Sequence, residues 1–200
     1  MWEFEEKAKN NGYNIICGVD EAGRGPLAGP VFAAAVILPY NIEIEGLNDS
    51  KKVSEKKREA LFDIICERAI AFGIASCDEK EIDDINILNA SMLAMSRAVE
   101  KLSVKPEIAL IDGNKTPKLD MPAVAIVKGD AKSASIAAAS ILAKVSRDRF
   151  MLKLAEEYPQ YEFEKHKGYP TKLHYDKIRE FGVSPIHRMT FLRKFFAQGE

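Results

Sequence analysis

Four acidic residues of this sequence follow short apolar segments, where carboxylates are well placed to do chemistry. Ile-Ile-Cys-Gly-Val ends at Asp20-Glu21, Ala-Leu-Ile ends at Asp112, and Ala-Ile-Val-Lys-Gly ends at Asp130. In open sheets, functional sites form beyond strand ends, where side chains from distant positions converge. A carboxylate cluster with few His or Cys residues near it favours a hard divalent cation. The pattern therefore indicates a Mg²⁺ or Mn²⁺ site.

Each of these acids also has a purely structural interpretation. Asp112-Gly113-Asn114 is a favourable turn sequence. Asp130 is suited to capping a helix that begins near Lys132. Asp20 and Glu21 are also compatible with a solvated strand exit, so the composition of the cluster alone does not separate these alternatives.

A glycine-rich loop, Glu21-Ala-Gly-Arg-Gly-Pro-Leu-Ala-Gly-Pro30, joins the first two apolar segments. Adjacent strand residues face opposite ways, so Asp20 and Glu21 can share a site only if the backbone turns, and Gly23 and Gly25 favour such a turn. Glycine also removes the Cβ that would block approach of the backbone to a ligand. The loop matches neither the phosphate-binding pattern G-x-x-x-x-G-K-[ST] nor a dinucleotide fingerprint. A tight structural loop between strands is the alternative.

Length and composition are ordinary for a globular chain. The 200 residues fit one domain, with 46% apolar and 30% charged residues. Cys17, Cys66 and Cys77 lack metal-site spacing and are predicted to be reduced, buried hydrophobes. No secretion signal is visible, and the longest apolar run, residues 31–38, is too short to span a bilayer. We therefore expect a cytoplasmic protein without membrane contact, and nothing in the sequence demands a partner subunit, which favours a monomer.

Hydrophobic periodicity predicts alternating strands and helices. Strands are expected at residues 15–19, 31–38, 71–77, 108–111 and 124–127. Helices are expected after a cap at Ser54, after an acidic turn at residues 78–84, over residues 132–157, and from a cap at Thr171 to Gly182. Early strands with interleaved helices predict an α/β fold with a mixed central sheet flanked by helices.

Positive charge is concentrated late in the chain, although the formal net charge is −1. Residues 163–194 contain eight Lys or Arg residues and three acids, a net charge of +5, and Lys51 and Lys52 add a second basic position. Phosphate contacts of this kind supply affinity for nucleic acid without sequence preference. Lysines on solvated helices are the alternative. Ser140 and Lys144 lie one helical turn apart, so they share a face that points at phosphate or packs beside the sheet.

Taken together, these segments resemble the ribonuclease HII family. The matching stretches run in order from about residue 15 to 191 and are Gly18-Val-Asp-Glu-Ala-Gly-Arg-Gly-Pro-Leu-Ala-Gly-Pro-Val31, Asn48-Asp-Ser-Lys-Lys52, Ile111-Asp-Gly113, Lys128-Gly-Asp130, Ser135-Ile-Ala-Ala-Ala-Ser-Ile-Leu-Ala-Lys144, His166-Lys-Gly-Tyr-Pro-Thr171 and His187-Arg188. The resemblance implies a ribonuclease H-like fold, with residues 1–157 as catalytic core and residues 158–200 as a helical, substrate-binding C-terminal segment.

The resemblance also implies an activity. The family hydrolyses the RNA strand of RNA/DNA hybrids and cuts 5′ of single ribonucleotides in duplex DNA by two-metal-ion catalysis, giving 5′-phosphate and 3′-hydroxyl ends. Its four catalytic, metal-binding acids match Asp20, Glu21, Asp112 and Asp130. Its loop that recognises the 2′-hydroxyl matches Gly23, Arg24 and Gly25, and its junction tyrosine matches Tyr169. Further candidates for substrate contacts are Lys51, Ser140, Lys144 and Arg188.

Three interpretations of the tail and of the whole chain stay open. The ending Met189-Thr-Phe-Leu-Arg-Lys-Phe-Phe196 resembles a sliding-clamp-binding peptide, but Met189 stands where that motif has Gln, so a helix packing its apolar face is favoured. A non-catalytic hybrid-binding protein would use the same basic surface, yet four acids without metal would repel phosphate. A different metal-dependent nuclease on this fold is disfavoured because the Gly-Arg-Gly loop and Tyr169 are suited to reading ribose.

Overall fold

A mixed sheet of five strands forms the centre of the computed structural model, which describes residues 1–47 and 53–197. The strands are β1 (Ile16–Ala22), β2 (Val31–Ile37), β3 (Ala71–Cys77), β4 (Ile108–Asp112) and β5 (Ala123–Ile126). Their order is β3-β2-β1-β4-β5, with β1 antiparallel to β2 and parallel to β4. The five predicted strands are confirmed, with shifts at their ends. Lys51 and the rest of the Asn48–Lys52 motif lie outside the described residues.

Seven α-helices occur in the described ranges. They are α1 (Glu3–Asn10), α2 (Glu55–Arg68), α3 (Glu79–Glu100), α4 (Ala134–Glu157), α5 (Phe163–His166), α6 (Lys172–Phe181) and α7 (Met189–Ala197). The sheet packs against α3 on one face and against α4 on the other, and α2 lies against α4. This arrangement confirms the predicted α/β architecture. None of the helices in the described part of the chain is both long and apolar enough to cross a membrane.

The two faces of the sheet explain which side chains of β1 and β2 point where. In β2, Ala33 and Ala35 join the core beneath α3, whereas Ala34 and Val36 join the core beneath α4. A strand buried on both faces reads as a continuous apolar run. In β1, Val19 packs towards α3, so the alternation of side chains directs its neighbour Asp20 towards α4.

Helix ends follow the sequence in most places. Ser54 Oγ accepts a hydrogen bond from Lys57 N at 3.4 Å, and Thr171 Oγ1 accepts one from His174 N at 3.2 Å. Both predicted caps are therefore confirmed. The carboxyl end of α6 at Gly182 is also as predicted.

The predicted acidic turn at residues 78–84, after β3, is wrong. This segment starts α3 instead, because Asp78 and Glu81 form a capping box in which each side chain accepts a hydrogen bond from the other residue's backbone N–H, at 2.8 and 3.0 Å. The helix then kinks at Asn86, whose φ is 65° and whose Oδ1 accepts hydrogen bonds from Leu88 N and Asn89 N.

Candidate active site

A cleft of about 390 Å³ opens where β1 and β4 end beside α4. It is lined by Asp20, Glu21, Ala22, Gly23, Arg58, Asp112, Ser140, Ile141, Lys144 and Tyr169. Three of the four predicted acids meet there. Together with them lie the first glycine of the Gly-rich loop, both polar candidates from α4, and the tyrosine from the C-terminal segment.

Strand pairing and one glycine bring these groups together. Val19 pairs with Ile111 in parallel register, so Asp20 and Asp112 follow side by side at the same edge of the sheet. A Cβ on Gly18 would lie 2.1 Å from the carbonyl carbon of Ser135, so only glycine lets α4 approach β1 this closely. The close approach places Ser140, further along α4, beside Asp20.

The acids repel one another in a site with little solvent. Asp20 is 5% exposed, and its pKa is raised well above its ordinary value, first by burial and then by the charges of Glu21 and Asp112. Hydrogen bonds from Ser140 and from Glu21 N, the latter at 2.8 Å, oppose that shift. Burial also raises the pKa of Glu21, while its ion pair with Arg24, at 3.3 Å, opposes the increase. Keeping these carboxylates ionised together requires added positive charge.

The donor set fits a hard divalent cation, although no cage is preassembled. Among the His, Cys, Asp and Glu residues in the described ranges, no three are arranged to hold a metal ion. Asp112 Oδ1 instead accepts a hydrogen bond from Gly129 N at 2.6 Å, and Glu21 Oε1 pairs with Arg24. All the facing donors are carboxylate oxygens, which Mg²⁺ and Mn²⁺ prefer. A cation would also relieve the repulsion that raises the pKa of Asp20.

Asp130 lies next to this cleft but is not among its lining residues. It is 5% exposed and sits in the 3₁₀ turn Gly129–Ala131, which Asp112 holds through Gly129 N. The alternative that Asp130 caps the following helix is wrong. Ser133 caps α4, since its Oγ accepts a hydrogen bond from Ile136 N at 3.2 Å.

The Gly-rich loop and Tyr169 form one wall of the cleft. Gly23 has a φ of +98°, so the chain turns only after β1 ends at Ala22. The prediction that Asp20 and Glu21 need a turn to share a site is therefore wrong, because both acids line the cleft from within the strand. A Cβ on Gly25 would lie 3.8 Å from Tyr169 Cε1, and Leu27 N donates to Gly168 O at 2.8 Å. The Tyr169 side chain is 38% exposed, so one part of the ring remains available to a ligand.

Lys144 lies beside the same ring. Its Nζ is 5.8 Å from the ring centroid of Tyr169 and forms an ion pair with Asp148 at 2.8 Å. Lys144 lies one helical turn after Ser140, and both side chains line the cleft, as their spacing indicated.

Arg188 corrects a sequence expectation. It was expected to contact substrate, but it is 0% exposed and its guanidinium donates to backbone carbonyls of the Gly-rich loop: Gly29 O at 2.8 Å, Arg24 O at 3.1 Å and Gly23 O at 2.7 Å. Five donors in a planar fork suit several carbonyls at once. Arg188 therefore holds the loop from behind.

Sequence reasoning missed two arginines of this region. Arg147 is 0% exposed and donates to Pro30 O of the loop at 3.1 Å, and Arg58 lines the cleft from α2. Arg147 follows Ser140 by two helical turns and Lys144 by three residues, so helical spacing alone was a usable signal. Arg58 offered no such signal, because its position depends on packing of α2 against α4.

The sequence of this chain is similar to those of one known protein family. Residues 17–195 match the family model described as Ribonuclease HII. A ribonuclease HII from Caldicellulosiruptor bescii is 55% identical over 196 residues, covering 98% of this chain and 95% of that protein.

Solved structures agree with this match. The ribonuclease H2 from Pyrococcus horikoshii superimposes with a TM-score of 0.76 and 30% identity, covering 92% of this chain and 98% of the other. The ribonuclease HII of Archaeoglobus fulgidus, solved in complex with PCNA, superimposes with a TM-score of 0.70 and 26% identity, covering 88% and 94%. The predicted ribonuclease H-like fold is thus confirmed.

Proposed function

Because this chain belongs to the ribonuclease HII family, we propose that its acidic cleft cuts 5′ of single ribonucleotides in duplex DNA. Membership makes the chain a metal-dependent endonuclease that hydrolyses the RNA strand of RNA/DNA hybrids. Incision at an isolated ribonucleotide, leaving 5′-phosphate and 3′-hydroxyl ends, is the finer activity proposed for this molecule.

One observation carries the proposal: carboxylates, the start of the Gly-rich loop and the partly exposed Tyr169 line a single cleft. Asp20 and Asp112 face Tyr169 and the start of the Gly-rich loop across it. A 2′-hydroxyl both donates and accepts hydrogen bonds, so backbone groups of Gly23, Arg24 and Gly25 are suited to distinguishing RNA from DNA. An exposed aromatic ring offers a stacking platform for the sugar or base at the junction.

Asp20, Glu21 and Asp112, with Asp130 beside them, are the residues that would hold Mg²⁺ or Mn²⁺. Two such ions would supply Lewis acidity that makes water more acidic and stabilises charge on the phosphate. Ser140 orients Asp20 by a hydrogen bond, and Gly129 N orients Asp112 at 2.6 Å. Lys144 and Arg58 bring positive charge to the same cleft, where a phosphate backbone would lie.

A cleavage assay tests the proposal. A DNA duplex with one ribonucleotide is incubated with protein and Mg²⁺ or Mn²⁺, with a chelator and an all-DNA duplex as controls. We expect incision 5′ of the ribonucleotide, and none with chelator. Binding without incision would favour a non-catalytic hybrid-binding protein, and cutting of the all-DNA duplex would favour a different nuclease.

Asp112→Asn separates catalysis from folding in the same assay. Asparagine keeps the oxygen that accepts from Gly129 N but removes the negative charge, so we expect a folded protein with cleavage reduced at least about a thousandfold. Asp120→Asn is the matched control, because that carboxylate is exposed and lines a different pocket. Full turnover by Asp112→Asn would remove this residue from the site.

Further proposals concern the setting of the enzyme. The complex of the Archaeoglobus fulgidus relative with PCNA supports a sliding-clamp contact here as well. Leu192 of α7 is buried and Phe195 stacks on Tyr175 at 5.3 Å, so the exposed Met189 and Phe196 are the side chains proposed for it. Co-elution with a sliding clamp tests the contact.

The enzyme is also proposed to be a monomer in the cytoplasm. The mass of the chain eluting alone from a sizing column tests the oligomeric state, and cell fractionation tests the location.

The C-terminal segment, residues 158–200, is proposed to serve substrate binding. It supplies Tyr169 to the cleft and Arg188 to the loop behind it. Residues 1–157 supply the acids.

A further inference from the structure

Two buried arginines bind the Gly-rich loop over residues 23–30, in addition to backbone hydrogen bonds from Leu27 N to Gly168 O and from Gly29 N to Ile186 O. Arg188 donates to the carbonyls of Gly23, Arg24 and Gly29. Arg147 donates to the carbonyls of Ala28 and Pro30, at 3.3 and 3.1 Å. Five of the eight carbonyls in this loop are thus engaged by two guanidinium groups. The orientation of the corresponding peptide planes depends on these contacts.

Arg147 also connects the loop to the tyrosine. Its Nη1 donates to Lys167 O at 3.1 Å, just before Tyr169, and its Cζ lies 5.6 Å from the centroid of the Tyr169 ring. A Cβ on Gly23 would lie 2.1 Å from Arg147 Nε, so the loop backbone rests directly on this side chain. The guanidinium of Arg147 therefore sets the spacing between the Gly-rich loop and Tyr169, the two parts of this wall of the cleft.

Both arginines are buried at a cost that a merely space-filling residue would avoid. Each is 0% exposed, and burial lowers the pKa of Arg188 to about 9, with the charge of Arg147 adding to the shift. Lysine cannot replace this arrangement, because its single ammonium lacks the planar fork that reaches several carbonyls at once.

We propose that Arg188 and Arg147 are positioning residues for ribonucleotide discrimination: without touching substrate, they hold the loop backbone at residues 23–25 in the orientation that reads a 2′-hydroxyl beside Tyr169. The inference rests on the proposed function of that loop. The two arginines would thus control selectivity for one hydroxyl group although both are buried beneath the loop backbone.

Equilibrium binding to two duplexes tests the inference. The duplexes are identical except for one 2′-hydroxyl, and Ca²⁺ replaces Mg²⁺ because it takes the same oxygen ligands in looser geometry. For Arg188→Lys and Arg147→Lys we expect the Kd ratio between the all-DNA and ribonucleotide duplexes to fall at least about tenfold towards one, as for loss of one well-placed contact. Affinity for the all-DNA duplex should change less than about twofold, because the phosphate-binding side chains remain in place.

Arg149→Lys is the matched control. It lies on the same helix α4, pairs with Glu59 instead of the loop, and should leave the ratio unchanged. Equal discrimination by wild type and Arg188→Lys would overturn this inference alone. A wild-type protein that binds both duplexes equally would instead contradict the proposed function of the loop.

A spectroscopic measurement on the wild type covers variants that fail to fold. The Arg188 and Arg147 Nε–H groups donate to carbonyls of Gly29 and Pro30, so their NMR signals report loop position. We expect these signals to shift on adding the ribonucleotide duplex and to shift less with the all-DNA duplex. Identical shifts with both duplexes would overturn the proposal.

Discussion

Lowering the pH should destabilise the segment that carries Tyr169. Three buried, neutral histidines, His166, His174 and His187, hold this segment through hydrogen bonds. Ser184 N–H donates to His187 Nδ1 at 2.9 Å, which places the proton of that ring on Nε2. His187 Nε2 lies 3.1 Å from His174 Nε2, whose ring then donates through Nδ1 to Tyr169 O at 3.0 Å. Adding a proton to His174 Nε2 would set two donors against each other, and a proton on His187 Nδ1 would displace the hydrogen bond from Ser184 N–H.

The magnitude follows from burial of the two rings. His174 and His187 are 0% and 2% exposed, and desolvation lowers the pKa of each to about 4 from an ordinary 6.5. The folded state therefore binds fewer protons than the unfolded chain between those values. The stabilisation is present above pH 6.5 and is lost as the pH falls towards 4. Between pH 7 and pH 5 each ring loses about 2 kcal/mol, or about 4 kcal/mol for the pair.

Asp20 acts with the opposite sign and must be separated from the histidines. Its pKa is raised in the folded state, so its protonation on acidification favours folding. Comparing the wild type with the double variant His174→Asn/His187→Asn cancels the contribution of Asp20, since Asp20 is present in both proteins. Asparagine keeps a donor or an acceptor near the position of Nδ1.

Urea unfolding at pH 7 and pH 5 without metal gives the comparison. We expect the wild type to lose about 4 kcal/mol more than the double variant over this range. A difference below about 1 kcal/mol would refute the reasoning. NMR titration of the wild-type imidazoles is an independent check, and rings of His174 and His187 that titrate near the ordinary value would refute it too.

Two other substitutions test the wall and the sheet. Tyr169→Ala should reduce incision at single ribonucleotides at least about tenfold through loss of stacking, and Tyr169→Phe should retain most of the activity because the ring remains; equal rates for Tyr169→Ala and parent would exclude a stacking role. Gly18→Ala should destabilise the fold by about 3 kcal/mol in urea unfolding, because the new Cβ would meet the α4 backbone at 2.1 Å; an unchanged midpoint would contradict that packing.

Local patterns in the sequence were sufficient for the five strands, for most of the helices and for the acids of the candidate site, whereas α1 and α5 were not predicted. The run at residues 31–38 predicts β2 because a strand covered on both faces has no polar side to reveal. The caps at Ser54 and Thr171 are readable because each satisfies backbone donors within three residues of itself. The acids stand out because each one lies at the end of an apolar run or a few residues after it.

Only the tertiary structure decided what lies behind the site. Parallel pairing of β1 with β4 determines that Asp20 meets Asp112, and strand order is not encoded in any local pattern. Arg188 is a candidate for substrate contact in the sequence because the sequence shows its charge and not its burial. Its partners are carbonyls about 160 residues away, which carry no side-chain identity that a sequence motif could reveal. Short-range hydrogen bonds and hydrophobic periodicity depend on neighbouring residues and can therefore be predicted from the sequence. Long-range contacts to the backbone form only when the chain has folded, so no local pattern predicts them.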